Sequence, residues 1–394
     1  METKMFSLDI IHKSLKKQGE ELCGDTVEIH QDNDDTLIVL ADGLGSGVKA
    51  NILATLTSKI IATLIKNKLS IEEAVKTIVN TLPECQVRKI AYSTFTVVKI
   101  EPDGDTRIIE FDNPATAIFR QGSLLPINFT TSEVEGKIIR EGHCRLVPGD
   151  ELFLFSDGVI HAGIGKTLKL GWQWENIVGY IEGLHRSNDC SIYEKVNNLI
   201  SFCSILYQDV PGDDSTVVGV RVREEQPGVV MVGPPLEQER DQEVVERLLA
   251  KEECLKAVCG GTAANIVARE TNRELRVSLD YPDPSIPPIG RIKGIDLVTE
   301  GVLTIRRTLE NLRAIAADDG TVILELWNKA DGASLLTKFL LQGCTHIQFL
   351  IGRRENPAHR RPDFPPELNQ KHRDIAEIMA ILTSLGKKTE ALYL

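Results

Sequence analysis

Two short apolar segments each run directly into an Asp-Gly pair, and this arrangement restricts the fold more than any other feature of the sequence. The first segment is Thr36–Ala41, which ends at Asp42, and the second is Glu151–Ser156, which is followed by Asp157. Such short apolar runs, bounded by turn residues, predict buried strands, and Asp-Gly predicts a sharp turn where a strand ends. We therefore expect each aspartate to lie at the end of a strand.

The elements predicted around these segments alternate between strands in hairpins and helices in pairs. Strands are predicted at Thr36–Ala41, Tyr92–Ile100, Thr106–Phe111, Ala115–Arg120, Glu151–Ser156 and Ser215–Arg223. Helices are predicted at Val48–Lys66, Ser70–Thr81, Trp174–Glu182 and Ser191–Tyr207. This order favours an α+β fold, a layered sandwich, over a doubly wound parallel sheet.

A chain of 394 residues exceeds the usual size of a single hydrophobic core, so two domains are expected. Residues 1–225 form the first. Turn-forming residues around Gly228 and Gly233 predict a linker over residues 226–236. A smaller α/β domain is predicted over residues 237–394. Its predicted helices are Glu237–Lys251, Ala263–Glu270, Thr304–Ala316 and Lys371–Leu385, and its predicted strands are Thr321–Leu326 and His346–Ile351.

Charge and hydropathy exclude several classes of partner. A net charge of −12 disfavours nucleic acid as a partner. The longest apolar stretches are far shorter than the roughly 20 residues that a bilayer requires, so no membrane partner is expected. The amino terminus lacks the features of a secretory signal, and the eight cysteines are scattered without a CxxC pair. These observations predict a cytoplasmic protein with reduced thiols.

Four short acidic motifs carry the functional signal. They are Cys23-Gly-Asp25, Ala41-Asp-Gly-Leu-Gly-Ser-Gly47, Phe155-Ser-Asp-Gly158 and Gly212-Asp-Asp-Ser-Thr216. Any one Asp-Gly is a common turn pair, but carboxylates gathered at one place repel each other unless a cation is present. Hard oxygen ligands without nearby histidine favour Mg²⁺ or Mn²⁺ over zinc. Two such ions can activate water for attack on a phosphoryl group.

In this order the motifs resemble those of the metal-dependent protein phosphatases (PPM family), specifically the bacterial branch typified by the stage II sporulation protein E phosphatase. The resemblance covers about residues 5–225. It implies an αββα sandwich, two Mn²⁺ or Mg²⁺ ions and hydrolysis of phosphoserine or phosphothreonine on a protein. It also implies that the catalytic residues are Asp25, Asp42, Asp157 and Asp213, and that the metal ligands are these four together with the Gly43 carbonyl and, as a second acid suited to a capping role, Asp214.

This sequence differs from many members of the family in the residues that would bind the substrate phosphate. Those family members have an arginine before the early acidic motif. This chain has Lys16 and Lys17 there instead, and either lysine could replace the arginine only as a point charge. His161 is either a general acid or incidental, and Asn113 belongs to a plain Asn-Pro turn. The resemblance implies a phosphorylated protein substrate, of the kind represented by an anti-sigma-antagonist-like regulator.

The second domain has two segments suited to an anionic ligand. Val258–Ala264 predicts a strand that enters a Gly-rich turn and then a helix, where exposed amides attract anions, although a tight structural turn explains the same pattern. The second segment is a concentrated positive patch of Arg353, Arg354, His359, Arg360 and Arg361. Such a patch either binds a phosphorylated ligand or an acidic partner, or is a solvated loop.

Two other functions fit the same sequence. One is a catalytically degenerate phosphatase fold that binds a phosphoprotein or ligand and signals through residues 226–394. The other is a small-molecule phosphatase, which would use the same chemistry. The presence of all four predicted ligand aspartates favours an active enzyme, but it does not separate protein from metabolite substrates.

Overall fold

The computed structural model describes residues 6–31, 35–67, 69–81, 93–134, 137–187, 190–277, 289–317, 326, 329–354 and 370–394. The chain divides into two compact units, Met1–Glu224 and Glu225–Leu394.

The first unit combines antiparallel strands with five helices among its described residues. Its strands are β1 (Phe6–Leu15), β2 (Asp25–Gln31), β3 (Thr36–Gly43), β4 (Ser93–Ile100), β5 (Asp105–Phe111), β6 (Ala117–Arg120), β7 (Ser123–Leu124), β8 (Phe129–Val134), β9 (Lys137–Arg145), β10 (Glu151–Phe155) and β11 (Ser215–Glu224). Its helices are α1 (Gly47–Lys66), α2 (Ile71–Thr81), α3 (Asp157–Ile160), α4 (Trp174–Ser187) and α5 (Ile192–Leu206).

Two sheets form the middle of this unit. One has the strand order β1-β11-β10-β6-β7 and the other β2-β3-β4-β5-β9-β8. An apolar cluster that includes Ile10, Leu40 and Val218 fills the space between them. Helices α1 and α2 pack on the outer face of the second sheet, and α5 packs on the first, where Gly219 leaves room for Val196. The layers therefore follow the order αββα, and the expected α+β sandwich is confirmed.

Helix α1 is the one helix, among the residues that the structure describes, that is long and apolar enough to cross a membrane. An 18-residue window of this helix has a mean hydropathy of 1.4. This value is weak evidence for a membrane span, because the core helices of globular proteins pass the same test. Buried residues Ala50, Ala54 and Ile61 recur at helical spacing and place one face of α1 against the sheet.

Strands β1 and β2 were not predicted from the sequence, and buried polar residues explain the first omission. Asp9 and Lys13 interrupt the apolar pattern of β1, but both are buried in the structure. Arg223 Nη1 donates to Asp9 Oδ2 over 3.0 Å, and Lys13 Nζ donates to Asn197 Oδ1 over 2.6 Å. These partners come from β11 and α5, so local sequence reveals neither of them.

The second unit is a mainly parallel α/β structure. Its strands are β12 (Pro227–Val232), β13 (Leu255–Cys259), β14 (Arg276–Val277), β15 (Gly290–Arg291), β16 (Leu297–Thr299), β17 (His346–Ile351) and β18 (Lys388–Tyr393). Its helices are α6 (Asp241–Leu249), α7 (Gly261–Thr271), α8 (Val302–Ala316), α9 (Gly332–Lys338) and α10 (Gln370–Ser384), with a 3₁₀ turn at Gln238–Arg240 and a π turn at Phe339–Gly343.

The sheet of this unit is doubly wound. Its parallel strands lie in the order β16-β13-β12-β17-β18, and β14 and β15 extend the β16 edge in antiparallel fashion. Helices α6 and α7 share one apolar cluster with the sheet, whereas α8, α9 and α10 share the cluster on the opposite face. The direction of winding therefore reverses between β12 and β17, which is a topological switch point.

The predicted linker over residues 226–236 is wrong for most of its length. Pro227–Val232 is the central strand β12, which pairs in parallel with both β13 and β17. The turn-forming residues at either end hid a short apolar run that is buried on both faces. Pro227 is tolerated because it is the first residue of the strand.

Other expectations for the second unit have mixed outcomes. The helix expected at Glu237–Lys251 is shorter, Asp241–Leu249, and follows the 3₁₀ turn. The strand expected at Thr321–Leu326 lies outside the described residues except for Leu326. The same holds for His359, Arg360 and Arg361 of the positive patch, whereas the Arg353 guanidinium lies over the Tyr393 ring and Arg354 Nε donates to the Leu236 carbonyl.

Candidate metal centre

Asp25 and Asp42 lie directly opposite each other on neighbouring strands. Asp25 begins β2 and Asp42 is the penultimate residue of β3, and the antiparallel register pairs the two. Because directly opposed residues project from the same face of a sheet, both carboxylates lie on one face at one end.

Asp157 and Asp213 leave the same end of the other sheet. Asp157 begins α3 two residues after β10, and Asp213 precedes β11 by two residues. Two hydrogen bonds hold these motifs together: Ser156 N donates to the Thr216 carbonyl over 3.0 Å, and Thr216 N donates to Ser156 Oγ over 2.8 Å. The antiparallel pairing of β10 with β11 therefore brings two motifs together that are more than 50 residues apart in the sequence.

Asp214 links the two sheets. A Cβ atom at Gly24 would lie 2.9 Å from Asp214 Oδ2, so this carboxylate packs beside the residue that precedes Asp25. Asp214 Oδ1 accepts a hydrogen bond of 3.0 Å from the backbone of Lys17. The predicted site residues of all four motifs thus lie at one end of the sandwich, where backbone N–H groups of Lys17 and Asp214 donate to the carboxylates of Asp214 and Asp213.

The two Asp-Gly glycines are required by close packing. A side chain at Gly43 would collide with the carbonyl of Ala50 in α1, and one at Gly158 would collide with the carbonyl of Asp214. Gly43 N also donates to the Gly24 carbonyl over 3.2 Å. These glycines therefore let the acidic turns approach neighbouring backbone that any larger residue would push away.

The acidic residues affect each other's protonation. Burial raises the pKa of Asp42, and the charges of Asp25, Asp157 and Asp213 raise it further. Burial also raises the pKa of Asp25, and the pKa of Asp213 is raised by burial and by Asp157. Without a cation, these shifts favour protonation of the carboxyl groups.

Lys17 provides a positive charge at this cluster. Its Nζ lies 3.8 Å from Asp213 Oδ1, and its charge lowers the pKa of Asp213 in part. Both side chains are partly exposed, and a pair of this kind contributes about 0–1 kcal/mol. One such lysine is too weak to offset several neighbouring carboxylates, so the cluster suits a cation of higher charge.

The donor set fits a hard divalent cation. Among the described residues, neither carboxylate oxygen of the buried Asp25 has a hydrogen bond of normal geometry, although the Thr216 and Ser156 hydroxyls lie near enough to lower its pKa in part. Unpaired carboxylate oxygens beside other carboxylates are the ligands that Mg²⁺ and Mn²⁺ prefer. In the part of the chain that the structure describes, no three side chains of His, Cys, Asp or Glu lie close enough together to bind one metal ion in their present positions.

Two further candidates from the sequence, His161 and Asn113, bond to groups other than the acidic carboxylates. His161 is exposed at the end of α3, where its N–H donates to the Asp157 carbonyl. Asn113 is buried: it accepts from Thr94 Oγ1 over 2.9 Å and donates to Thr96 Oγ1 over 3.2 Å. Asn113 therefore fastens the residues after β5 to β4 in addition to forming a turn.

Sequence reasoning missed Glu20 and Tyr207, which contact the acidic turns. Glu20 Oε1 accepts a hydrogen bond of 2.6 Å from Ser46 Oγ at the start of α1, and Tyr207 donates to the Gly158 carbonyl over 2.8 Å. Neither residue lies in an acidic motif, and each reaches its partner across the fold. The one available signal was proximity, since Tyr207 precedes the Gly212 motif by five residues.

Solved structures with similar folds have low identity to this chain. The phosphatase domain with a regulatory fragment of SpoIIE from Bacillus subtilis is 18% identical, with a TM-score of 0.49, over 57% of this chain and 65% of that one. The RsbU and RsbW domains of a Mycobacterium tuberculosis protein are 17% identical, with a TM-score of 0.46, over 62% and 68%. RsbX in complex with magnesium is 17% identical, with a TM-score of 0.39, over 55% and 95%.

A search of curated proteins finds no match to the chain. A sequence model of the family described as Stage II sporulation protein E (SpoIIE) matches residues 32–223, which lie within the first unit and contain three of the four acidic motifs. Residues 32–223 of this chain therefore belong to the SpoIIE family.

Proposed function

We propose that the first unit is a cytoplasmic phosphatase that hydrolyses phosphoserine or phosphothreonine on a regulatory protein, with two Mn²⁺ or Mg²⁺ ions as cofactors. The observation that carries the proposal is the gathering of acidic side chains from four distant motifs at one end of the sandwich, where burial and neighbouring charges raise the pKa of Asp25, Asp42 and Asp213. The residues proposed to hold the ions are Asp25, Asp42, Gly43, Asp157, Asp213 and Asp214.

The proposed reaction is direct hydrolysis. A water oxygen forms a bond to phosphorus, the bond from phosphorus to the serine or threonine oxygen breaks, and that oxygen takes up a proton. Paired divalent ions, when bound, supply Lewis-acid activation of water and of the phosphoryl oxygens. This chain's own contribution is to orient the carboxylates through the paired strands and to place Lys17 beside Asp213, where its charge attracts the incoming phosphate.

The degenerate binding module and the small-molecule phosphatase remain the competing proposals. The acidic cluster supports an active enzyme because a pure binding module gains nothing from crowding like charges. The half-exposed Asp213 and the exposed Asp157 leave the cluster open to solvent, which suits a phosphate carried on a large protein. A regulator resembling an anti-sigma antagonist is the proposed class of substrate.

The first prediction concerns activity. The purified chain with Mn²⁺ is expected to hydrolyse p-nitrophenyl phosphate and a phosphoserine peptide, and Asp42→Ala is expected to lower kcat at least about 100-fold because it removes a central ligand. Phosphate release is the measurement. An inactive metal-loaded wild type would support the binding module, and turnover of sugar phosphates but not phosphopeptides would support the small-molecule phosphatase.

The second prediction concerns charge repulsion and uses no activity assay. Asp42→Asn is expected to raise Tm in EDTA by about 2–4 °C, because it relieves roughly 1 kcal/mol of repulsion, and to abolish the rise in Tm that Mn²⁺ gives the wild type. Differential scanning calorimetry measures both shifts. Asp112→Asn is the matched control at an exposed turn, and it should change neither. A metal-free Asp42→Asn protein that melts below the wild type contradicts this account.

The third prediction tests the phosphate grip. Lys17→Ala is expected to raise KM for a phosphopeptide about 10-fold, because one charge–phosphate contact of about 1.4 kcal/mol is lost. Lys16→Ala is the control, since Lys16 is exposed and its Nζ donates to the Glu21 carbonyl, and it should leave KM unchanged. Equal effects of the two substitutions would show that only general surface charge matters.

For the second unit, we propose an anionic ligand at the carboxyl edge of its parallel strands, beside the switch point. Gly233, Gly260 and Gly301 follow β12, β13 and β16, and a Cβ at Gly260 would lie 3.9 Å from Gly301 Cα and 4.0 Å from Gly233 Cα. Helices α7 and α8 begin here without a side-chain cap hydrogen bond. Crevices at the carboxyl ends of strands beside a switch point are the usual ligand sites of such sheets.

The fourth prediction tests this crevice with ADP and inorganic phosphate as probes in calorimetric titrations. Thr262→Glu is expected to weaken binding at least about 10-fold, and an acid in the first turn of α7 should not destabilise the helix. Glu300→Gln is expected to tighten binding, because a Glu300 oxygen lies 3.2 Å from where a Gly261 Cβ would be. If neither probe binds the wild type, the proposal fails.

A further inference from the structure

Tyr207 contacts two of the acidic motifs at once. It follows the last residue of α5, and its buried hydroxyl donates a hydrogen bond of 2.8 Å to the carbonyl of Gly158. Its ring atom Cε1 lies 3.5 Å from the position that a Cβ at Gly212 would take. Gly158 directly follows Asp157 and Gly212 directly precedes Asp213, so one side chain touches the neighbours of both carboxylates.

The end of α5 that carries Tyr207 is fastened to the segment that follows α3. Lys166 Nζ donates to the Tyr207 carbonyl over 2.9 Å, and Thr167 Oγ1 donates to the Leu206 carbonyl over 2.7 Å. Gln208 has a positive φ of 54°, so the chain turns sharply directly after Tyr207. These contacts limit the freedom of the tyrosine backbone, and movement of its ring is therefore limited as well.

Helix α3 is short, and the Tyr207 hydroxyl bonds directly to its backbone. It spans only four residues, and the N–H groups of His161 and Ala162 bond to the carbonyls of Asp157 and Val159. The Gly158 carbonyl lies between these two acceptors and receives the Tyr207 hydroxyl. On its other side, Gly158 packs so closely on the Asp214 carbonyl that a Cβ would collide with it. A shift of α3 would therefore displace the Asp213 motif.

We propose that Tyr207 is a positioning residue that sets the separation of Asp157 and Asp213 and, through it, the affinity of the centre for a divalent cation. The inference rests on the proposed function, because it assumes that these aspartates are metal ligands. Tyr207 does not touch the reacting atoms. Groups that orient ligands in this way typically change metal affinity by about 10–100-fold when they are removed.

The test is Tyr207→Phe, which removes the hydroxyl and keeps the ring against Gly212. We expect the Kd for Mn²⁺ to rise at least about 10-fold, measured from the free Mn²⁺ signal in electron paramagnetic resonance. Stability in EDTA is measured separately by urea denaturation. Tyr193→Phe is the matched control: Tyr193 is a buried tyrosine near the opposite end of α5, and its replacement should leave the Kd unchanged.

The outcomes distinguish a failure of this inference from a failure of the proposed function. If the wild type does not bind Mn²⁺, both fall. If the wild type binds Mn²⁺ and Tyr207→Phe binds it equally well, the positioning role is overturned and the proposed function stands. If Tyr207→Phe and Tyr193→Phe weaken binding by the same factor, the effect is not specific to the contact of Tyr207 with Gly158, which also overturns the positioning role. Weakening by Tyr207→Phe alone supports it.

Discussion

The first unit depends on one electrostatic constraint: acidic side chains from four motifs are held together at the end of two facing sheets. Burial and mutual repulsion raise the pKa of Asp42 and Asp25, and Lys17 is too exposed to balance them. Removing charge from water costs several kcal/mol per ion unless a partner compensates. The surrounding structure must therefore be rigid enough to keep these groups in place, which is the role of the sandwich.

Rigidity comes from packing on both sides of the acidic turns. Asp25 and Asp42 are fixed by a strand pair, and Gly43 lies directly on α1. Asp157 has only a four-residue helix beneath it, and there Tyr207 supplies a contact that secondary structure does not. The same arrangement leaves Asp157 exposed, so the side of the cluster that is least supported by strands is also the side open to a substrate.

The second unit shows why short strands are hard to recognise. Strand β12 (Pro227–Val232) is buried on both faces along most of its length, yet the glycine and proline residues near its ends are typical of a linker. Its strand character depends on parallel pairing with β13 and β17, which are formed by residues up to about 120 positions away. The glycines that follow β12, β13 and β16 meet at the carboxyl edge of the sheet, beside the switch point, and their convergence is a property of strand order.

The sequence by itself determined the acidic motifs, the apolar strands that end in them and the layered α+β class, because hydrophobic periodicity and turn chemistry are local properties. It did not determine β1, whose buried Asp9 and Lys13 are satisfied by Arg223 and Asn197. Nor did it determine the contact of Tyr207 with Gly158 or the strand order of the second unit. Only the tertiary structure decided these, since each depends on a partner distant in the chain whose position is set by packing of the whole unit.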